Sequence, residues 1–298
     1  MRNVKTTQNR RAFLQNGFAA ATGLTLMRPA YSSGAYFNSR LEVSLHQFSV
    51  KPLFTTGQLD LMGYPRFAKE SLGLDNIEFA ADFCTPLCEN PEKADAVRHQ
   101  SEKVGIKNRV LLCAGDKPLD VPGKRDRAEA IRDHLQWAKV AERLGCEFMR
   151  VRASSEGDPN EKLNHAAQGI GAVCEALESS SVSVLIENIA GLSRNPDWLV
   201  QLAKRIGLHR VALLADFGNF DGDVYEGMEK LLPYTKSICS KSWDFDPDGN
   251  ETKLDYARMM QVIEKSQFRG CIAIEYLGKN LAPLEGIRKT AALIRRLR

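Results

Sequence analysis

The 298-residue sequence has few of the side chains that build disulfide frameworks or closed zinc sites. It contains five histidines and seven cysteines, and the cysteines are dispersed, odd in number and without paired CxxC spacing. Neither a zinc ribbon nor a disulfide scaffold is therefore predicted. Most of the cysteines are predicted to be small core residues. Cys84 and Cys88 could still pair in an oxidising compartment.

Long apolar runs are also scarce. After residue 35 no run is long or apolar enough to span a bilayer. Residues 1–35 contain five basic residues and no acid, and the whole chain has a formal net charge of +4, so the remainder is close to neutral. The net positive charge therefore does not indicate a nucleic-acid partner, because binding a nucleic acid needs a basic face on the folded domain.

Residues 1–35 have the layout of an export signal. The segment 9–15 (NRRAFLQ) resembles a twin-arginine motif, an uncharged run covers 16–27, and 33–35 offers small residues for cleavage. A basic amphipathic tail is the alternative. We interpret 1–35 as a twin-arginine signal peptide and 36–298 as one domain, which predicts a periplasmic or otherwise exported protein without stable membrane insertion.

The domain alternates short apolar runs with helical patterns. The run 181–188 (SVSVLIEN) is rich in β-branched residues, which is typical of a buried parallel strand. The clearest helix is predicted over 124–144, with an apolar stripe and Gly145 at its end. Eight strand–helix units fit either a doubly wound sheet or a closed barrel. Their regularity favours a single-domain α/β fold of the (β/α)8 TIM-barrel class.

Three predicted strands end directly in an acid: Glu187, Asp216 and Glu275. A buried, unpaired carboxylate costs several kcal/mol, and three convergent carboxylates would repel one another unless a cation lay among them. Oxygen ligands favour Mn²⁺ or Mg²⁺, although Zn²⁺ also fits. The alternative is that these acids pair with arginines such as Arg150 or Arg152, or cap the following helices.

Four segments carry a resemblance to a known family: 185–188 (LIEN), 215–220 (ADFGNF), 240–246 (SKSWDFD) and 273–276 (AIEY). They resemble the sugar phosphate isomerase/epimerase group of xylose-isomerase-like TIM barrels, and the likeness covers nearly the whole chain after the leader. The resemblance implies a divalent metal held by a Glu, an Asp, a His and a Glu. Glu187, Asp216 and Glu275 match the three acids, and Cys239 stands where the His is expected.

The resemblance also implies a reaction and its residues. The metal would chelate a carbonyl and a neighbouring hydroxyl, while Glu187 and Glu275 remove and return a proton from opposite faces. Cys239 could bind the metal as a thiolate, leave its place to water, or be a small core residue. The predicted substrate-binding residues are His46, Arg152, Asn188, Lys241 and Trp243. A structural histidine at His46 and an ion pair of Lys241 with Asp216 or Asp244 are the alternatives.

These observations predict a metal-dependent isomerase or epimerase acting on a small carbohydrate. A lyase or hydrolase that uses the same site on a keto-sugar or glycoside is an alternative, and a non-catalytic carbohydrate-binding barrel is another. A DNA-repair endonuclease is disfavoured because the five histidines lie mostly on predicted helices. The segment 244–255 nearly fits a calcium-loop pattern, with a plain turn as the alternative. A homo-oligomer remains open.

Overall fold

The computed structural model describes residues 41–113, 117–153 and 156–298, so the predicted leader lies outside the described residues. Eight parallel strands pair in chain order there, and the sheet closes where the eighth pairs with the first. The strands are β1 Leu41–His46, β2 Asn76–Ala80, β3 Lys107–Leu112, β4 Phe148–Arg152, β5 Ser183–Glu187, β6 Val211–Asp216, β7 Thr235–Ser242 and β8 Gly270–Tyr276. The predicted (β/α)8 barrel is confirmed.

Helices cover the outside of the barrel. Those in the described ranges are α1 Lys51–Thr55, α2 Tyr64–Leu72, α3 Ala81–Glu89, α4 Pro91–Val104, α5 Lys124–Leu144, α6 Pro159–Ala176, α7 Pro196–Ile206, α8 Val224–Leu231, α9 Tyr256–Lys265 and α10 Pro283–Leu297. The helix predicted over 124–144 is α5, and it ends at Gly145 with φ +72°. No described helix has the length and hydropathy needed to cross a membrane.

Two of these helices, α1 and α3, were not predicted from the sequence. Helix α3 contains Pro86 in its interior, a position that costs a helix a backbone hydrogen bond. Its buried face, which includes Cys84 and Leu87, packs into the main core and compensates for that loss. No disulfide forms among the described cysteines, so the pairing of Cys84 with Cys88 considered above is not present.

The apolar residues form two cores. The larger lies between the strands and the surrounding helices. The smaller lies inside the barrel and consists of Ala80, Val110, Leu112, Leu185, Leu214 and Cys239. Because all strands run in the same direction, their carboxyl ends meet at one end of the barrel, which we call the mouth.

Gly169 on α6 allows that helix to approach the segment before α5. A Cβ atom at this position would lie 2.0 Å from the carbonyl oxygen of Leu119, a backbone atom that no rotamer change can move. We expect Gly169→Ala to lower the free energy of unfolding by about 1–3 kcal/mol, as overpacking does. Urea unfolding measures this change. The matched control is Gly171→Ala on the same helix, where a Cβ meets nothing within 4 Å. Equal stability of the two variants would contradict the close approach.

Candidate active site at the barrel mouth

The three predicted acids lie at the mouth, each beside another predicted site residue on a neighbouring strand. In the register of the sheet Glu187 pairs with Arg152, Asp216 with Cys239, and Glu275 with Lys241. All three carboxylates are buried, with Asp216 fully inaccessible. Local sequence therefore explains the convergence, because each acid is the last or nearly the last residue of an apolar strand.

Glu187 is held by a buried cation. The Nε atom of Arg150 lies 2.8 Å from Glu187 Oε2, and both side chains are at most 4% exposed. The two atoms are not aligned for a hydrogen bond, so the contact is an ion pair. Arg150 also donates from Nη1 to the carbonyl oxygen of Cys113 at 3.0 Å. Burial raises the pKa of Glu187, and the Arg150 guanidinium opposes that rise.

Asp216 is held by Lys241. Lys241 Nζ lies 2.9 Å from Asp216 Oδ2 and 3.7 Å from Glu275 Oε2, and it donates a hydrogen bond to Asn219 Oδ1 at 2.9 Å. Burial raises the pKa of Asp216 while Lys241 lowers it. Burial in turn lowers the pKa of Lys241, but the two carboxylates outweigh that effect and the net shift is upward. Lys241 is therefore a permanent cation between two of the acids.

The Asn188 side chain forms hydrogen bonds with the backbone around Asp216. Its Oδ1 accepts a hydrogen bond from the Asp216 amide at 2.7 Å, and its Nδ2 donates to the carbonyl oxygens of Asp216 and Asn219, both at 3.0 Å. The side-chain amide thus uses both of its N–H groups on β6 and the loop after it. The contact fixes the strand end that carries Asp216.

Two further groups converge on Glu275. His46 Nδ1 lies 3.7 Å from Glu275 Oε1, and Cys239 Sγ donates a hydrogen bond to Glu275 Oε2 at 3.2 Å. Burial lowers the pKa of His46 to about 3, so the imidazole is neutral at physiological pH. One ligand atom from each of His46, Cys239 and Glu275 lies within 4.8 Å of the others, a group that could hold a metal ion.

Of the four metal ligands predicted from the sequence, Cys239 and Glu275 belong to this group, whereas Glu187 and Asp216 lie against protein cations. Arg150 lies against Glu187 Oε2, and Lys241 lies against Asp216 Oδ2. Across the described ranges, His46, Cys239 and Glu275 are the one group of three possible ligands within common reach. A divalent ion therefore fits the Glu275 side of the mouth, where Lys241 Nζ lies 3.7 Å from Glu275 Oε2.

Two more predicted residues lie at the rim. Trp243 is half-buried, and Lys253 Nζ lies 4.7 Å from the centroid of its indole ring. Gly218 lies beneath it, where a Cβ would approach Trp243 Cη2 to 3.1 Å and Lys241 Cδ to 2.9 Å. The missing side chain lets both residues pack over the loop after Asp216. Arg152 is also half-buried, and burial together with the nearby Arg150 lowers its pKa.

The segment 244–255 forms a turn and not a calcium loop. The Asp246 carboxylate accepts hydrogen bonds from the backbone and side-chain amides of Asn250, at 2.8 and 3.0 Å. The buried Glu251 carboxylate accepts from the backbone amide of Trp243 at 3.1 Å. In the portion of the chain that the structure describes, these aspartates form no group that could hold a metal. The turn alternative explains the segment.

Sequence reasoning missed Glu78, which is fully buried inside the barrel on β2. Its Oε1 accepts from Ser44 Oγ at 3.3 Å and from Ser237 Oγ at 3.4 Å, and Oε2 has no hydrogen-bond partner. Burial raises the pKa of Glu78 to about 8, and nearby Glu187 and Glu275 add to that rise. A charged residue among the apolar residues Ile77, Phe79 and Ala80 of β2 was the available signal.

Glu78 makes stability depend on pH. Below about pH 4.5 the Glu78 carboxyl is protonated in both the folded and the unfolded protein. Between about pH 4.5 and about pH 8 the unfolded chain loses this proton, whereas the folded protein keeps it. The free energy of unfolding therefore falls with rising pH, by up to about 1.4 kcal/mol per unit. We expect Glu78→Gln to remove this loss and to be about 2–4 kcal/mol more stabilising at pH 8 than at pH 5.

Urea unfolding of wild type and variant at the two pH values measures this difference. The control is Glu70→Gln, because Glu70 is 67% exposed. The same pH response for both substitutions would contradict the buried, protonated carboxyl at Glu78.

The fold and the mouth together define a class of protein: a (β/α)8 barrel with buried carboxylates and cations at the carboxyl ends of its strands. The chain belongs to the xylose isomerase-like TIM barrel family, whose model matches residues 66–297. A comparison with curated proteins finds no match.

Solved structures share this fold at low sequence identity. The IolI protein with a bound zinc atom is 13% identical, with a TM-score of 0.69 over 87% of this chain and 97% of that one. D-psicose 3-epimerase from Clostridium cellulolyticum H10 is 11% identical, with a TM-score of 0.68 over 87% and 98%. The probable 3-DHS dehydratase AsbF from Bacillus anthracis is 15% identical, with a TM-score of 0.65 over 84% and 98%. At these identities the likeness establishes the fold alone.

Proposed function

We propose that this protein is a sugar isomerase or epimerase that removes and returns a proton on the carbon beside a carbonyl group. The observation that carries this proposal is the pair of buried carboxylates, Glu187 and Glu275, that lie at the mouth with a protein cation against each. The D-psicose 3-epimerase of the same fold supports a small carbohydrate as substrate.

Each residue has a role that follows from its surroundings. Burial makes Glu187 a stronger base than an exposed carboxylate, and Arg150 favours its ionised form by opposing the rise in its pKa. Glu275 takes up a proton from solvent and gives it to the other face of the carbon, and Glu187 then releases its proton to solvent. Lys241 places a fixed positive charge where the enediolate oxygen develops its negative charge. A divalent ion bound at Glu275 and Cys239 would, when present, polarise the substrate carbonyl.

Exchange of substrate hydrogen with solvent deuterium tests the proposal. Keto- and aldo-sugars are incubated with the protein in D₂O and followed by proton NMR. We expect loss of the signal from the carbon beside the carbonyl of at least one sugar, and no loss with Glu187→Gln. A sugar that raises the melting temperature without any exchange would favour the carbohydrate-binding alternative.

A lyase reaction is the second candidate, because a probable dehydratase shares the fold. It would begin with the same proton removal and continue with loss of the hydroxyl on the next carbon. The same spectra distinguish the two reactions, since an epimer retains all its carbon-bound oxygens and a dehydration product gains a double bond.

We also propose that residues 1–35 direct export by the twin-arginine pathway. The double variant Arg10→Lys with Arg11→Lys is expected to stay in the cytoplasm, because the receptor recognises the paired guanidinium groups. Cell fractionation measures this. Export of the double variant at the wild-type level would contradict the proposal.

A further inference from the structure

We propose that His46, Cys239 and Glu275 form a zinc-type site in which the imidazole ligand comes from the first strand of the barrel. This inference deepens the proposed function, because it names the ligands of the ion which that reaction would use. It also differs from the ligand set predicted from the sequence, since it includes His46 and leaves Glu187 and Asp216 outside the coordination sphere.

The three ligands lie on three adjacent strands at the point where the barrel closes. His46 is the last residue of β1, and β1 pairs with β8 through Leu45 and Ile274. Cys239 on β7 pairs with Ala273 of β8, two residues before Glu275. His46 on β1 thus supplies the imidazole that the family resemblance predicts at position 239 of β7, from the strand on the other side of β8.

The separations suit a tetrahedral ion. With metal–ligand bonds of about 2.0–2.3 Å, two ligands of a tetrahedral site lie about 3.3–3.8 Å apart. The sulfur of Cys239 is 3.2 Å from Glu275 Oε2, and His46 Nδ1 is 3.7 Å from Glu275 Oε1. Three protein ligands leave the fourth position for water or substrate. This open coordination is the arrangement of a catalytic zinc site.

The His46 ring is already oriented. His46 caps the short 3₁₀ helix Gln47–Val50, where its Nδ1 accepts a hydrogen bond from the Phe48 amide at 3.3 Å, a bond that an ion on Nδ1 would replace. The ring also stacks on Phe48, with centroids 5.6 Å apart. All three ligands are at least nine-tenths buried. A ligand that is already ordered loses little conformational freedom when it binds an ion.

Charge balance favours this location over the three carboxylates. Arg150 lies against Glu187, and Lys241 lies nearer to Asp216, at 2.9 Å, than to Glu275, at 3.7 Å. An ion of charge +2 bound by the Glu275 carboxylate and the Cys239 thiolate is neutral, with His46 uncharged. On binding, the sulfur–hydrogen bond of Cys239 breaks, a sulfur–metal bond forms, and the proton leaves to solvent. Nitrogen and thiolate ligands select Zn²⁺ or Co²⁺ over Mn²⁺ and Mg²⁺.

Titration of the metal-stripped full chain with Co²⁺ tests the site without any substrate. We expect a near-ultraviolet thiolate-to-cobalt charge-transfer band that Zn²⁺ abolishes by competition and that Mn²⁺ leaves unchanged. The band should be absent in Cys239→Ser. Competition with a coloured chelator should show Zn²⁺ affinity at least about 100-fold weaker in His46→Gln, Cys239→Ser and Glu275→Gln.

The matched control is Glu187→Gln, which should change Zn²⁺ affinity by no more than about threefold because Glu187 is not a ligand and its cation is Arg150. Melting temperatures without metal show which variants are folded. A band that survives Cys239→Ser, an affinity unaffected by His46→Gln in a folded variant, or wild type without Co²⁺ binding at micromolar concentration would each overturn the site.

The outcomes separate the two proposals. Zinc bound by the three ligands in a protein that exchanges no sugar hydrogen would contradict the proposed function and leave the site intact. Hydrogen exchange catalysed by a chain that binds no metal would overturn the site and leave the reaction to the carboxylates and Lys241.

Discussion

Glu187→Gln is expected to reduce the rate of hydrogen exchange on the substrate by about 10²–10⁴-fold, the usual contribution of a general base. The amide keeps the size of the side chain but cannot accept the proton. The exchange rate at saturating sugar measures the effect. Glu178→Gln is the control, because Glu178 pairs with Arg210 at the other end of the barrel and should exchange at the wild-type rate.

Glu187→Gln also leaves the buried Arg150 without its counterion, so the exchange rate must be compared below the melting transition of the variant. A folded variant with wild-type exchange would remove Glu187 from the chemistry. In that case Glu275 alone would have to remove and return the proton.

Arg150→Met is expected to lower the free energy of unfolding by about 3–5 kcal/mol at pH 7, because it leaves Glu187 buried without its cation. Arg150 opposes the rise of the Glu187 pKa, so its loss lets that pKa rise further. Glu187 in the variant then binds a proton in the folded state at higher pH, and the destabilisation should shrink as the pH falls.

The double variant Arg150→Met with Glu187→Gln should recover part of the loss, since neither charge is then left unpaired. The exposed pair Arg66–Glu70 provides the control, and Arg66→Met should cost less than about 1 kcal/mol. Urea unfolding of the four proteins decides the matter. An Arg150→Met loss no larger than that of Arg66→Met would show that the buried pair adds no stability.

Local sequence predicted the features that depend on short stretches of chain. The barrel was predicted from the alternation of strand and helix patterns and from the apolar stripe of α5, which ends at Gly145. The positions of Glu187, Asp216 and Glu275 were predicted because each acid directly follows an apolar strand pattern. Helix α3 escaped prediction because Pro86 opposes its local preference and tertiary packing overrides it.

The partners of the acids depend on features that one stretch of sequence does not contain. Arg150 and Arg152 alternate with outward residues on β4, so both face the interior. The register of β4 against β5 places Arg152 beside Glu187, yet Arg150 forms the ion pair, so the partner depends on side-chain packing inside the barrel. The contact of His46 with Glu275 requires the barrel to close, because the two residues belong to its first and last strands. Glu78 was missed since a single acid in a strand resembles a surface position.

The closure of β1 against β8 also has a kinetic consequence. Ser49, just after β1, donates to the carbonyl oxygen of Ile274 on β8, a contact between residues 225 positions apart in the chain. Contacts of such long range carry the largest loop-closure cost, so they form late when a chain folds. His46, Cys239 and Glu275 cannot meet before that step. An ion held by these three residues would bind only to protein molecules in which β1 and β8 have already paired. Once bound, the ion would slow the separation of β1 from β8.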